Sequence, residues 1–233
     1  MARTSTARTE PRRRVRGGKP HKSQRKFEQR RQQIFSGALA CFERKGYHET
    51  SINDIAEAAG ISSGLIYQYF NDKRDLLFQV ILEILEAYNR DVPKALVGIK
   101  DPITRFQAAS IAYYRVIDHR ISATLFAYRE SKSLDPDQIK ILKTKELQTN
   151  QMLVDCIQDC VNAGYFATPN AELASYWIVT TAHAWGLKNW RLRKIVSFED
   201  YTRQTLNLLM NGMLTNLGRS HLMGHDLLDG RPL

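Results

Sequence analysis

The chain has 233 residues, of which 43% are hydrophobic, so it is long enough to bury a substantial core. Its formal charge is +10, and residues 1–26 carry +9 of it, with ten Lys and Arg against Glu10. Three cysteines are too few for a disulfide framework, and the chain does not open with the apolar run of a signal peptide. The longest uncharged run, 173–187, is too short to span a bilayer. We therefore expect a cytoplasmic protein with no membrane contact.

Residues 1–22 form a basic arm that is rich in Arg, Thr, Gly and Pro and shows no hydrophobic periodicity. This composition predicts disorder in solution. The charge favours contact with phosphates or another anionic surface, and a solubilising tail is the alternative.

Residues 51–70, SINDIAEAAGISSGLIYQYF, have the pattern of two short helices joined at a glycine. Ser51 predicts a capped start for the first helix, and Gly60 lies where the chain must leave it with a positive φ. Ser62 or Ser63 then caps the second helix. This layout is that of a helix-turn-helix, and a helical hairpin that merely packs is the alternative.

This segment and its flanks resemble the TetR family of bacterial transcriptional regulators over residues 28–88. The resemblance rests on Phe42, Gly46, Tyr47, Thr50, Ser51, Ile55, Ala56, Ala59, Gly60, Ser62, Gly64, Tyr67, Tyr69, Phe70, Lys73 and Leu76. It implies a helix-turn-helix DNA-binding domain over 23–72 and a larger ligand-binding and dimerisation domain over 73–217. Ser63 stands where many members carry Lys, Arg or Pro, and Leu65 where a small or hydroxylated residue is frequent. The base sequence read by this protein therefore does not follow from the resemblance.

A double-stranded DNA operator is the partner that this motif predicts. Gly64 has no side chain, so the second helix can approach the groove, and Gln68 is suited to read a base, preferably adenine. The resemblance implies that Tyr67 and Lys73 contact the sugar-phosphate backbone, although Tyr67, like Tyr69, is alternatively a core aromatic. The candidate DNA-contacting residues are Thr50, Ser51, Ser62, Ser63, Gly64, Tyr67, Gln68 and Lys73.

The rest of the chain keeps helical periodicity and shows no sustained strand alternation, so we predict an all-α fold of about nine helices. Asp72, Asp135, Asn170 and Ser197 mark helix starts. Residues 218–233, with three glycines and a proline, are predicted to be a flexible tail.

The resemblance also implies an effector pocket and a four-helix homodimer interface. We expect the pocket among the helices at 103–163, and the interface from the helices at 171–191 and 198–217. The candidate pocket residues are Tyr113, Tyr114, Ile117, Phe126, Met152 and Cys156, each of which also fits an ordinary core position, and Arg129, which would meet an anionic group or else pair on the surface with Glu130 or Asp135. The candidate interface residues are Trp177, Trp185, Trp190, Leu206, Leu209 and Met213.

Residues 186–194, GLKNWRLRK, are similar to those of family members associated with fatty-acid and acyl-CoA metabolism, so an acyl-CoA or a fatty acid is the candidate effector. The sequence has no glycine-rich phosphate loop, HExxH pair or nucleophile elbow, so we predict no catalytic residue, cofactor or metal. Cys156 and Cys160, four residues apart, would bind a metal or sense oxidants only if they are not buried thiols, which is the simpler interpretation.

These features together predict a homodimeric, ligand-released repressor of an inverted-repeat operator. The alternative is a helical lipid- or sterol-binding protein or enzyme whose head domain only mimics a helix-turn-helix.

Overall fold

The computed structural model describes residues 22–168 and 170–229; nearly all of the basic arm (1–21) and the last four residues of the predicted tail lie outside this part. Eleven α-helices and one 3-10 turn make up the described part, in which no strand forms beyond an isolated bridge between Phe166 and Leu214. The helices are α1 (Lys22–Lys45), α2 (Ile52–Ala59), α3 (Ser63–Ile66), α4 (Lys73–Ala95), α5 (Pro102–Asp118), α6 (Ile121–Glu130), α7 (Pro136–Asn162), α8 (Ala171–Leu187), α9 (Asn189–Leu192), α10 (Phe198–Met213) and α11 (Asn216–Asp229). The all-α prediction is confirmed.

Hydrogen bonds at the helix termini explain why the helices begin where the sequence places them. Asp72, Asp135, Asn170 and Ser197 each accept the backbone N–H three residues further on, at 2.7, 2.9, 2.9 and 3.0 Å. A cap of this kind is worth about 1 kcal/mol, because it satisfies an amide that has no partner within the helix. These four predicted starts are confirmed.

The hinge between α2 and α3 also has the predicted chemistry. Ser51 and Asp54 form a reciprocal capping box at the start of α2, and Gly60 ends that helix at φ 63°. Ser62, not Ser63, caps α3 by accepting the N–H of Leu65 at 3.3 Å.

Two hydrophobic clusters organise the described residues, and α4 belongs to both. Its first half, including Leu76 and Leu77, is buried with α1, α2 and α3 in a head cluster. Its second half, including Tyr88 and Val92, is buried with α5, α7, α8 and α10 in a body cluster. The predicted domain boundary at residue 72 therefore falls just before a helix that is shared by the head and the body.

The predicted flexible tail from residue 218 is helical as far as residue 229, where α11 occupies this stretch. Thr215 Oγ1 accepts the N–H of Gly218 at 3.0 Å, and the helix docks through His221, whose Nε2 lies 2.6 Å from Asp101 Oδ1. The ring of His221 also stacks on Tyr165 at 4.3 Å between centroids. α11 and the four-residue α9 account for the excess over nine helices.

None of the helices in residues 22–168 and 170–229 combines the length and the apolar composition that a membrane crossing requires.

Candidate functional site

The short helix α3 and the turn that follows it present a polar outer face. Ile66 and Phe70 anchor them in the head cluster, while Ser62, Gly64 and the neighbouring Tyr67 and Gln68 are exposed.

Tyr67 is 57% exposed, so the prediction that its side chain lies on the outer face is confirmed. Tyr69 instead is partly buried against the head cluster and stacks on Phe27, which is 47% exposed, at 4.7 Å between ring centroids. No described heavy atom lies within 4 Å of a Cβ placed on Gly64, so this side of the helix can approach another surface closely.

Three of the predicted DNA-contacting hydroxyls are engaged within the head. Thr50 is buried, and its Oγ1 donates to the carbonyl of Gly46 at 2.7 Å. Ser51 Oγ donates to the Asp54 carboxylate at 2.7 Å, and Ser63 Oγ donates to Asn53 Oδ1 at 2.5 Å. These three hydroxyls therefore already donate hydrogen bonds within the head, where they hold α2, α3 and the turn before α2 in place.

Lys73 does not point away from the head as a phosphate contact would require. Its ammonium donates to the backbone carbonyls of Tyr47, His48 and Thr50 at 3.0, 3.1 and 2.8 Å, and it lies 4.6 Å from the Tyr47 ring centroid. An ammonium has three N–H donors, and all three are used here. In this structure Lys73 ties the start of α4 to the turn between α1 and α2.

Asn53 is a residue of the polar face that the sequence reasoning missed. It is exposed on α2, and its side-chain carbonyl holds Ser63 at the start of α3. The signal was available, because Ile52, Ile55, Ala56 and Ala59 recur at helical spacing and leave Asn53 off that apolar stripe.

A cavity of about 300 Å³ lies where the head and body clusters meet, walled by α4, α5, α6, α7 and α8. Its apolar wall is made by Ile81, Ile84, Leu85, Ala127, Ile139 and Leu142, and its polar groups belong to Tyr88, Tyr113, Thr124, Tyr128, Ser131, Lys143, Glu146, Thr149 and His183. A second groove of about 300 Å³ on the outside of α8 shares Tyr128, Glu146 and His183 with it. Tyr128 and His183 therefore contact both spaces.

The polar end of the cavity is a set of rings held by hydrogen bonds. The Tyr128 hydroxyl is hydrogen-bonded to Nδ1 of His183. The Tyr113 hydroxyl donates to Asn150 Oδ1 at 3.4 Å, and its ring lies 4.3 Å from that of Tyr88. Burial lowers the pKa of His183 to about 4 and raises the pKa of Tyr88 and Tyr113, so these groups are uncharged near pH 7.

Of the seven predicted pocket residues, only Tyr113 lines this cavity. Tyr114, Ile117 and Cys156 are buried in the body cluster, and Met152 packs against it. Phe126 lies on the far side of α6, where its ring stacks on Phe42 of the head at 4.9 Å.

The predicted ligand contact of Arg129 is not supported. Its side chain is 56% exposed, and its Nε donates to Glu130 Oε1 at 2.7 Å, which is the surface pairing named as the alternative.

The predicted interface residues divide between exposed and buried positions. Trp177 is exposed on α8, and Trp190 is 71% exposed on α9. Trp185, Leu206 and Met213 are buried within the chain, and Leu209 packs against the body cluster, so these four side chains serve the protomer's own core. Trp185 faces inward because its indole N–H donates to Asp118 Oδ1 at 2.8 Å.

Other exposed apolar residues on the same two helices were missed. Leu173 lies one turn before Trp177 on α8, and Leu208 on α10 is 74% exposed.

Cys156 and Cys160 are buried free thiols, as their simpler interpretation predicted. Burial raises their pKa to about 11 and about 12, so neither is a reactive thiolate at neutral pH. Within the described residues, no group of three or more His, Cys, Asp or Glu side chains is placed to hold a metal ion.

Comparisons with known proteins agree with this geometry over both parts of the chain. The family model described as "Bacterial regulatory proteins, tetR family" matches residues 34–80, and the one described as "Tetracyclin repressor-like, C-terminal domain" matches residues 100–190.

Two relatives cover most of the chain. The HTH-type transcriptional regulator HbdR of Aromatoleum sp. is 39% identical over 193 residues, which are 83% of this chain and 84% of that protein. The HTH-type transcriptional repressor KstR2 of Mycolicibacterium smegmatis is 25% identical over 82% of this chain and 94% of that protein.

Solved structures share the fold. The ketosteroid transcriptional regulator KstR2 of Mycobacterium tuberculosis has a TM-score of 0.65 at 22% identity, covering 80% of this chain and 96% of its own. The fatty acid degradation regulator FadR of Bacillus halodurans has a TM-score of 0.64 at 19% identity, covering 78% and 94%.

The head with its exposed α3 face and the helical body with its cavity are the parts of a DNA-binding transcriptional regulator. The chain belongs to the TetR family of such regulators.

Proposed function

We propose that this chain is a homodimeric transcriptional repressor that binds an inverted-repeat operator and releases it when a small, mostly apolar ligand fills the cavity. The observation that carries this proposal is the course of α4. The helix begins in the head cluster with Leu76 and Leu77, and then lines the cavity with Ile81, Ile84 and Tyr88. A ligand in the cavity therefore touches the same rigid element that carries the head.

A contact of this kind couples ligand and DNA through the equilibrium between two head positions. A ligand that binds one position 100-fold better shifts that equilibrium by about 2.7 kcal/mol. In a dimer the shift changes the separation of the two recognition helices, which are the α3 helices of the two protomers. These helices must fit half-sites that are about one turn of the DNA helix apart or a little more. A moderate ligand preference is therefore enough to lower operator occupancy substantially.

The apolar wall of the cavity supports a mostly apolar effector, and its volume lies at the lower end of the usual range for ligand sites. Two structural neighbours are a ketosteroid transcriptional regulator and a fatty acid degradation regulator. We keep the acyl part of an acyl-CoA, or a fatty acid, as the candidate effector class.

Exposed residues of the recognition face carry the proposed DNA contacts. Tyr67 and Gln68 are exposed in the turn that follows α3, and Ser62 is exposed at the start of that helix. Gln68 has the amide pattern that pairs with adenine in the major groove, whereas Tyr67 suits a backbone contact. Lys73 acts indirectly by holding the helix start that supports this face.

The test is binding of the purified protein to its own upstream DNA in a mobility-shift assay at about 150 mM salt, a concentration that suppresses nonspecific binding. Gln68→Ala is expected to cost about 1–3 kcal/mol at one base position and to leave the salt dependence unchanged. Gln148→Ala on α7, an exposed glutamine of the body, is the matched control and should bind like the parent protein.

Failure to select any genomic fragment over random DNA would contradict the repressor proposal. Ligand binding without any DNA binding would favour a lipid- or sterol-binding protein instead.

A further inference from the structure

The charge distribution around the cavity separates its interior from its mouth. The charged residues that line it are Lys143 and Glu146 of α7, both of which are solvent-exposed. The outer groove adds Lys188, which is also exposed. The buried polar lining residues are Tyr88, Tyr113, Thr124 and Thr149, and the uncharged imidazole of His183 is partly buried. Tyr128, in contrast, is 51% exposed. No described lining residue places a cation inside.

The hydroxyl of Thr124 is a buried hydrogen-bonding group that has no partner in the described interior of the cavity. It lies on α6, is only 4% exposed and lines the cavity, yet its Oγ1 has no hydrogen-bond partner among the described residues. Its own backbone N–H already uses the carbonyl of Arg120 at 2.8 Å, one turn earlier. A buried hydroxyl without a partner costs free energy of folding, and a ligand that accepts a hydrogen bond from it removes that cost.

We infer that the ligand inserts an uncharged end that carries a hydrogen-bond acceptor, the carbonyl of a thioester, amide or ketone. The Thr124 hydroxyl donates a hydrogen bond to that acceptor. This inference rests on the proposed ligand-responsive function and narrows its ligand class. A free carboxylate is excluded from the interior, because it would lose its hydration without meeting a cation. Any anionic part of the ligand stays at the mouth, near the exposed Lys143.

The thioester form of the acyl effector therefore fits this interior, and the free fatty acid does not. Tyr128 and His183 line both the cavity and the outer groove, and the hydrogen bond between them separates the two spaces.

The experiment compares two acyl skeletons, octanoyl and 3-phenylpropanoyl, each as the carboxylate, the primary amide and the N-acetylcysteamine thioester. Binding to the full-length protein without DNA is measured by calorimetry and thermal shift at pH 7.5. We expect the amide and thioester of at least one skeleton to bind, and the matching carboxylate to bind at least about tenfold more weakly.

Thr124→Val removes the hydroxyl and keeps the side-chain shape. We expect it to weaken the bound amide or thioester about fivefold and to leave the free protein at least as stable as the parent. Thr202→Val is the matched control, because Thr202 on α10 is equally buried, also has an unpartnered Oγ1, and does not line the cavity. It should leave ligand affinity unchanged.

Equal or tighter binding of the carboxylate overturns the inference. So does an equal change in ligand affinity in the Thr124→Val and Thr202→Val variants. The inference also fails if none of the six compounds binds. Operator release is measured separately by mobility shift. If carboxylates bind and release DNA, this inference fails while the ligand-responsive repressor stands. If the neutral compounds bind but no DNA is released, the inference about the ligand stands while the ligand-responsive repressor fails.

Discussion

Gly37 lies where α1 and α2 come closest. A Cβ at this position would be 3.0 Å from both the Cβ and the backbone N of Ala59. The backbone atom cannot move away without shifting α2, and Gln33 one turn earlier already donates to the carbonyl of Ala59. The absence of a side chain at Gly37 is therefore what sets the distance between the first two helices of the head.

Gly37→Ala should destabilise the protein by about 1–2 kcal/mol, because overpacking against Ala59 exceeds the gain in helix propensity. Gly212→Ala on α10 is the control, since no described atom lies within 4 Å of its added Cβ, and it should stabilise by about 0.5–1 kcal/mol. Urea unfolding at one protein concentration measures both. A Gly37→Ala protein as stable as the parent would mean that α2 adjusts freely.

His183 should make stability depend on pH in a defined window. Its pKa is lowered by burial from 6.5 to about 4, so between these values the unfolded chain carries a proton that the folded chain does not. The contribution of His183 to the free energy of unfolding is fully present above about pH 6.5. It falls as the pH is lowered towards 4, by about 1.4 kcal/mol per pH unit and up to about 3 kcal/mol in total.

His183→Gln removes the titrating group, so the difference in unfolding free energy between parent and variant should change over pH 4.5–7 and stay constant above pH 7. Other titrating groups cancel in this difference. A difference that does not vary across the window would show that the imidazole remains hydrated.

Residue types alone predicted which side chains of the recognition helix point outward, but not what each hydroxyl or ammonium bonds. The spacing of Tyr67 from Ser63 placed it correctly on the outer side. The three carbonyls that hold Lys73 come from a turn about 25 residues earlier, and no local pattern reports a contact over that separation. Motif residues near a DNA-binding face therefore include some that only build it.

At the scale of elements, α6 connects the cavity to the head without passing through α4. Thr124, Ala127 and Tyr128 line the cavity. On the other side of the same helix, Phe126 stacks on Phe42 of α1 with an interplanar angle of 5°. Any displacement of α6 by a ligand is felt at this stack.

Phe126→Leu should weaken the coupling between ligand and operator. The aromatic pair is worth about 0.5–1.5 kcal/mol beyond burial, so we expect the ligand-induced change in operator affinity to shrink several-fold. Ligand affinity without DNA should stay within about twofold, since Phe126 does not line the cavity. Operator titrations with and without ligand measure the ratio.

Phe106→Leu is the matched control for that variant. Phe106 is fully buried and packs edge-to-face on Phe166 in the body, away from the head. It should lose similar stability with its coupling intact. Equal loss of coupling in both variants would make the effect one of general destabilisation.

Helix starts were the most predictable elements, because a cap is a local hydrogen bond between residues three apart. The ending of the chain was the least predictable. Glycine at 218 suggested flexibility, but a Cβ there would come within 2.3 Å of the Tyr165 carbonyl, so the glycine permits close docking of α11. Whether a glycine loosens a segment or lets it pack depends on a neighbour that the local sequence does not reveal.

For the molecule as a whole, periodicity identified inward-facing residues but not which neighbour each one meets. Tyr113 and Tyr114 are adjacent on α5 and both buried, yet Tyr113 borders the cavity while the Tyr114 hydroxyl lies 2.6 Å from Thr181 Oγ1 of α8. The same limit applies to Trp177 and Trp185, of which only the first is exposed. A cavity or an interface is a relation among several helices, and it requires the tertiary arrangement.

The exposed apolar residues of α8 and α10 are the surface on which the proposed homodimer depends. Leu173 and Trp177 on α8 and Leu208 on α10 are exposed, and burying such a leucine against a partner contributes roughly 1.5–3 kcal/mol. Leu208→Glu would instead bury an unpaired carboxylate at the interface. We expect this variant to sediment as a monomer at micromolar concentration and to lose operator affinity by at least about tenfold, since only one head engages at a time. Val97→Glu is the control, because Val97 is 81% exposed in the turn between α4 and α5 and lies on neither interface helix, so it should leave the dimer and the operator affinity unchanged. A dimer that survives Leu208→Glu but dissociates with Val97→Glu would place the interface at the turn between α4 and α5 instead of on α8 and α10.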